Sequence, residues 1–395
     1  MDRRYIVVFG ACLTQFTVIG LLFSFGLFVK EFEAEFGWSR TLISACTALA
    51  FFMMGTLAMF GGRLNDRYGP RRVLLATGVL YGFGYALISQ VAEAWQLVVI
   101  FGTFIALGLS THDVVTLSTI GRWFASRRGI MSGVVKVGTA VGQVTLPPVA
   151  AVLIATYGWR QAVIALGVSA AVLLVIAALS MKAPPAPEGE EAKAEAAGVD
   201  FAEAKRGRIF WTMCAIQFLF FPTLMAVPFH IPVHGQDLGM TAATAATLLS
   251  VIGGASVLGR LVVGGATDRI GGRLAYSVCL IPLIISLAAL TVTEAPAILF
   301  VVMALYGFGH GGLFTLVAPT VAEFFGMKAH GAIFGTVLFF GTIGGSVGPI
   351  LAGAVFDWTG GYTLAFGTLA AMATIALILA ISLPRRTAAP AIPAQ

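Results

Sequence analysis

GGRLNDRYGPRR, residues 61–72, closes one apolar run, and GGATDRIGGR, residues 264–273, closes another. Aligned on their Asp-Arg pairs, Asp66-Arg67 and Asp268-Arg269, the two stretches stand 202 residues apart (66 to 268). The same offset carries Gly62 onto Gly264 and Gly69 onto Gly271. It also carries Gly129 and Gly133 onto Gly331 and Gly335, Pro147 onto Pro349, Gly158 onto Gly360, and Gln15-Phe16 onto Gln217-Phe218. One constant offset in separate regions of the chain implies two halves built by repetition in parallel orientation.

The surroundings of the repeat are apolar. Of 395 residues, 58% are hydrophobic and only 11% charged, with a mean hydropathy of +0.93. A soluble domain carries about 25% charge, so a chain of this composition has only lipid to face. Apolar runs predict spans at 5–29, 43–62, 72–92, 95–119, 129–156, 160–181, 209–234, 241–266, 274–292, 295–319, 331–356 and 361–383. Each span uses about 20 residues, which leaves no room for a separate soluble catalytic domain. The expected class is all-α: an N-terminal six-helix bundle (1–181), a solvated linker rich in Pro, Ala and Glu (182–208) and a C-terminal six-helix bundle (209–395). The N-terminal run lacks a small-residue cleavage site and reads as the first span.

The pI near 9.3 could point to nucleic acid, but the positions of the charges argue otherwise. Nineteen of the 24 Lys and Arg fall at one set of alternate loops and at the termini, against three (Lys30, Arg40, Arg160) in the other set. By the positive-inside rule both termini are expected in the cytoplasm. Cys12, Cys46, Cys214 and Cys279 all lie in apolar runs and read as packing residues, with no spacing for a metal or a disulfide framework. A phosphate-binding Gly-rich loop is missing too, so no cofactor is expected and a gradient must supply the energy.

The residues 61–72 resemble the signature loop of the major facilitator superfamily, G-x-L-x-D-R-x-G-x-R-R, with a degenerate copy where that superfamily has one. The resemblance covers the whole chain and implies twelve helices in two pseudo-symmetric bundles. GLFVKEFEAEFGWSRTLIS (26–44), GRWFASRRGIMSGVVKVGTAVG (121–142) and a single arginine in span 8, Arg260, resemble the monocarboxylate porters and the oxalate/formate antiporters. The chain differs from the former in lacking their lysine in span 1, and from the latter in lacking a lysine in span 11. The resemblance implies that Asp66, Arg67, Asp268 and Arg269 form a latch between the halves; Arg122, with Arg127 and Arg128, either joins it or simply follows the positive-inside rule.

Charges inside a span cost about 2.5–3.5 kcal/mol each and are functional by default. Asp113, Lys136 and Arg260 are the clear cases. Counted from Arg122, Arg128 and Asp268 at about 1.5 Å per residue, all three lie roughly 12–14 Å deep, in one layer. Arg260 can grip a carboxylate through two parallel hydrogen bonds. Lys136 either helps to hold the anion or is neutralised by Asp113, and Asp113 is the candidate proton carrier. His112, Gln15, Gln217 and Phe314 complete the candidate substrate site, while gating or packing is expected of His310. Repetition also singles out what breaks it: Leu338 stands opposite Lys136, and Ala58 opposite Arg260.

These readings predict a carrier, not an enzyme. Proton-coupled transport of a small monocarboxylate by a monomer in a bacterial inner membrane comes first. The alternatives are organic-anion exchange, or efflux of aromatic or drug-like compounds. A substrate anion, a proton and the lipid bilayer are the expected partners.

Overall fold

A computed structural model describes residues 3–38, 40–184, 198–293 and 295–385. Residues 185–197 of the expected linker and 386–395 of the tail lie outside the described residues. The first half contributes α1 (Arg3–Ser24), α2 (Arg40–Tyr68), α3 (Pro70–Leu87), α4 (Ala94–Trp123), α5 (Arg128–Tyr157) and α6 (Trp159–Ser180). After the linker come α7 (Arg208–Asp237) and a 49-residue stretch, Ala242–Leu290, that divides into α8 (242–270) and α9 (272–290). The chain ends with α10 (Pro296–Phe325), α11 (His330–Thr359) and α12 (Thr363–Ser382). Among the described residues the only β pairing is an isolated bridge between Gly198 and Gly326.

Among the described residues, eleven helical stretches are long and apolar enough to cross a membrane. One of them, Ala242–Leu290, would measure about 74 Å as a straight helix, more than twice a bilayer core of about 30 Å. It breaks at Gly271 (φ 77°, ψ 165°), which makes two crossings and twelve in all. Gly69, its mate in the repeat, turns the chain between α2 and α3 with φ 79° and ψ 162°. An L side chain is strained at such a φ, so both turns call for glycine. The large exposed apolar residues, Val152, Phe229, Val301 and Ile350 among them, would be a liability in water and suit a lipid-facing surface.

The first motif is helix where a loop is predicted. α2 runs six residues beyond the expected end at 62 and carries the motif to Tyr68, leaving Gly69 alone as the turn. Hydropathy marks where the bilayer ends. The hydrogen-bonded helix continues past that point because nothing in GGRLNDRY interrupts it.

The halves share a packing scheme. α1 packs on α5 as α7 packs on α11, and α2 crosses α11 as α8 crosses α5. Gly142 of α5 lies against the Phe16 backbone of α1, and Gly344 of α11 lies against the Phe218 backbone of α7. A Cβ at either glycine would overlap a carbonyl, so small residues here set the helix spacing.

On the face away from the linker, a short helix (Val29–Phe36) caps the first half. Phe32, Phe36, Trp38 and Trp159 form one aromatic pile there. Glu35 pairs with Arg160 and accepts from Trp159 Nε1 at 2.7 Å. Hydrogen bonds from Arg160 first and Trp159 second hold the Glu35 carboxyl below its ordinary value of 4.5. A depressed carboxylate contributes stability above its unfolded value and loses it as pH falls through the lowered one. An acid titration of tryptophan fluorescence is expected to show a transition below pH 4.5 that Glu35→Gln lacks. Identical curves for the two proteins would rule the pair out as the cause.

Candidate functional site

The layer of in-span charges is assembled in the structure, at the boundary between the two halves. Lys136 of α5 donates to Asp113 Oδ1 of α4 as a buried ion pair. Gln15 of α1 faces the same carboxylate, and its Nε2 has three acceptors in range: Asp113 Oδ1 at 2.8 Å, the His112 carbonyl at 3.1 Å and Thr116 Oγ1 at 3.1 Å. Its Oε1 accepts from Thr139 Oγ1 of α5 at 2.9 Å. His112 bonds the Leu109 carbonyl through Nδ1, and its Nε2 stands 3.5 Å from Asp113 Oδ1. The adjacent pair His112-Asp113 therefore shares one site, although neighbouring helix positions diverge by about 100°. Asp113 is 8% exposed and Lys136 3%.

From the second half, Arg260 reaches across the boundary. Its Nη1 donates to the Lys136 carbonyl at 2.6 Å, its Nε has no partner, and the residue is 2% exposed. Gly133 makes the reach possible, because its missing side chain lets α5 come up against the Arg260 backbone. Phe314 of α10 lies beside both cations, with Lys136 Nζ 5.6 Å and Arg260 Cζ 5.9 Å from its ring centre. Both distances suit cation–π attraction. Gln217 is buried on α7, and its Oε1 has no partner. His310 meets Phe314 edge-on, with ring centres 5.1 Å apart, and its Nδ1 has no partner among the described residues. His230 and His234 lie in the last turns of α7 and pack against Tyr362.

Toward the linker face the helices close over this layer. Gly129 of α5 meets Gly264 of α8, and Gly62 of α2 meets Gly331 of α11, two crossings related by the 202-residue offset (62 to 264, 129 to 331). Each carries an aspartate. Asp268 accepts from the Gly129 and Ile130 backbone N–H groups at 2.6 and 3.0 Å. Asp66 accepts from Arg122 at 2.7 Å and has the Ala332 backbone N–H as a further partner. Each carboxylate thus sits at a helix N-terminus of the opposite half, where it gains about 0.3–1 kcal/mol. Arg67 lies over its neighbour Tyr68, and Arg269 is exposed. At the C-terminal end of the linker, Val199 donates to the Phe325 carbonyl, Lys328 bonds Asp200 and Arg63 covers Phe201. That strap touches both halves.

Asp268→Asn is expected to loosen one crossing by that margin and to raise the open population about two- to five-fold. The readout is alkylation of Ser132→Cys, a buried α5 position one turn inside the crossing, by an impermeant maleimide from the linker side. Unchanged labelling would remove Asp268 from the latch.

Three polar partners are missing from the sequence reading. Thr116 and Thr139 look like ordinary helix threonines, yet both bond Gln15. His330 bonds Ser118 of α4 at 2.8 Å and the Ala318 carbonyl of α10 at 3.0 Å, tying the halves below the ion pair. Its one sequence signal is that it stands opposite Arg128 in the repeat.

The comparisons with known proteins agree with this architecture. MFS transporter asaE of Aspergillus flavus is 27% identical over 365 residues, covering 90% of this chain and 81% of its own length. Monocarboxylate transporter 13 of Rattus norvegicus is 27% identical over 390 residues, covering 96% and 89%. The crystal structure of the E. coli fucose:proton symporter FucP superposes with a TM-score of 0.75 at 15% identity, covering 96% of this chain and 98% of that one. The Major Facilitator Superfamily sequence model matches residues 7–293 and 236–395, and the chain belongs to that superfamily: a multi-pass integral membrane protein that moves a small solute by alternating access.

Proposed function

We propose that this protein carries a small organic anion, a monocarboxylate of the lactate or pyruvate type, together with a proton. The observation that supports it is a charge imbalance. Two cations, Lys136 and Arg260, share one buried layer with a single carboxylate, Asp113. Their formal charges leave one positive charge uncompensated, in surroundings where an unpaired charge is costly. An anionic substrate cancels it.

Within that reading Arg260 is the carboxylate anchor. Its Nε is bare, and only Nη1 is held by the Lys136 carbonyl. Lys136 is the second cation, Phe314 the ring beside both, and Gln15 and His112 position Asp113. Substrate competing for Lys136 releases Asp113 to take a proton, and this exchange of partners is the coupling step. The bundles 1–181 and 209–395 rock about this layer as one functional monomer, with the two aspartate-capped crossings as the gate. The linker face is cytoplasmic and the membrane is the bacterial inner membrane. The organic-anion exchanger is the second reading. It is favoured by the closed set of bonds around Asp113, which gives the carboxylate a structural use without titration.

Uptake of labelled lactate, oxalate and a larger aromatic acid into proteoliposomes, with and without an inward proton gradient, tests the proposal. Lactate is expected to accumulate only with the gradient. Exchange that ignores the gradient would favour the second reading, and failure to move any of the acids would reject both.

A further inference from the structure

The two glutamines that are mates in the repeat have opposite fates. Gln15 uses both ends of its amide: Nε2 on the Asp113 side and Oε1 under Thr139. Gln217 is as deeply buried, yet its Oε1 has no partner among the described residues. Repetition explains the difference. Gln15 Oε1 is satisfied by the Thr139 hydroxyl, and 202 residues on that position is Gly341; the side-chain acceptors of Nε2, Asp113 and Thr116, become Thr315 and Ala318. Gly341 packs directly against the Gln217 side chain, where a threonine hydroxyl would otherwise stand.

Other bare polar atoms gather on the same side. Around the Phe314 ring stand His310 at 5.1 Å, Phe221 at 5.6 Å and Arg260 at 5.9 Å. Phe221 lies one turn from Gln217 on α7, and Gly341 packs against both side chains. His310 has the Leu224 carbonyl as a hydrogen-bonding partner, while its Nδ1 is buried and bare. In the neutral tautomer protonated at Nε2, Nδ1 is an acceptor. The second half therefore offers one bare cationic donor, Arg260 Nε, and two bare acceptors, His310 Nδ1 and Gln217 Oε1. Buried polar groups are nearly always satisfied, so this set calls for an occupant of complementary pattern. That occupant carries an anion for Arg260 and an O–H donor for the acceptors.

We propose that His310 and Gln217 form a hydroxyl-accepting subsite beside Arg260, so that the carried anion is a hydroxy-substituted carboxylate rather than a plain or oxo one. The inference rests on the carboxylate reading above. A site built around a substrate hydroxyl discriminates strongly against the analogue that lacks it, because its own groups are then left unpaired.

The test is counterflow in proteoliposomes with the full chain, comparing lactate with propionate and pyruvate. Lactate is expected to be preferred over both by at least about tenfold. His310→Phe should remove that preference while leaving propionate transport in place. His310→Asn, whose amide oxygen stands near the position of Nδ1, should restore much of it. Equal losses for lactate and propionate in His310→Phe would make the histidine merely structural and overturn the subsite. Lactate and propionate carried equally well by the native protein would overturn it too, leaving the carboxylate reading intact. Transport of neither acid would bring down both.

Discussion

Replacing Arg260 by lysine is expected to cut carboxylate uptake about 10- to 100-fold, and replacing it by glutamine to cut it at least as far. A charge-assisted hydrogen bond contributes roughly 1.5–3 kcal/mol, and a factor of ten corresponds to about 1.4 kcal/mol. In the native protein one nitrogen of the guanidinium holds the Lys136 carbonyl at 2.6 Å, and Nε has no partner among the described residues, so under the proposed reading the remaining N–H groups would serve a ligand. An ammonium is a point charge without a planar fork, so it cannot hold the carbonyl and grip a carboxylate through two parallel bonds at once. Glutamine separates the roles in the other direction. Its amide can still donate to the Lys136 carbonyl and tie α8 to α5, but it brings no charge. If Arg260 only joined the helices, Arg260→Gln would transport normally. Binding measured by displacement of labelled lactate, alongside uptake, distinguishes the two. A lysine variant with native affinity and rate would exclude arginine as the anchor.

The part of this site that sequence made legible follows from membrane physics. Lipid demands long apolar runs and penalises charge, so Asp113, Lys136 and Arg260 stood out, and a constant rise per residue put them at one depth. What the chain did not disclose was direction. Gln15 and Asp113 are 98 residues apart, Thr139 and Gln15 are 124 apart, and His330 and Ser118 are 212 apart. No local period encodes such pairings, because they depend on which face each helix turns inward. The repeat supplied the missing information only once one half had been seen. Gly341 means little by itself, and it gains meaning as the position where the other half keeps Thr139. The signature motif misled for a related reason: charge marks the edge of the bilayer, and at α2 the helix runs on past that edge to Tyr68.

Asp113→Asn is expected to abolish proton-driven accumulation and to leave exchange running. Its cost to stability is expected to be comparable to breaking a buried ion pair, about 3–5 kcal/mol, because Lys136 then stays buried beside Arg260 with no carboxylate between them. That cost complicates the single variant, since poor folding would also remove accumulation. Pairing the change with Lys136→Gln resolves it. With both charges gone, the two amides can bond each other and Gln15, and the helices keep their packing, so thermal stability in detergent should return close to the native value. Arg260 then remains as the lone cation, able to bind an anion and to exchange it. If Asp113 is the proton carrier, the double variant exchanges lactate but cannot accumulate it with an inward proton gradient. If the pair is purely structural, the restored fold brings accumulation back. Proton-driven accumulation by the double variant would therefore move the coupling elsewhere in the molecule, and the bonds that enclose Asp113 in α4 would be read as architecture alone.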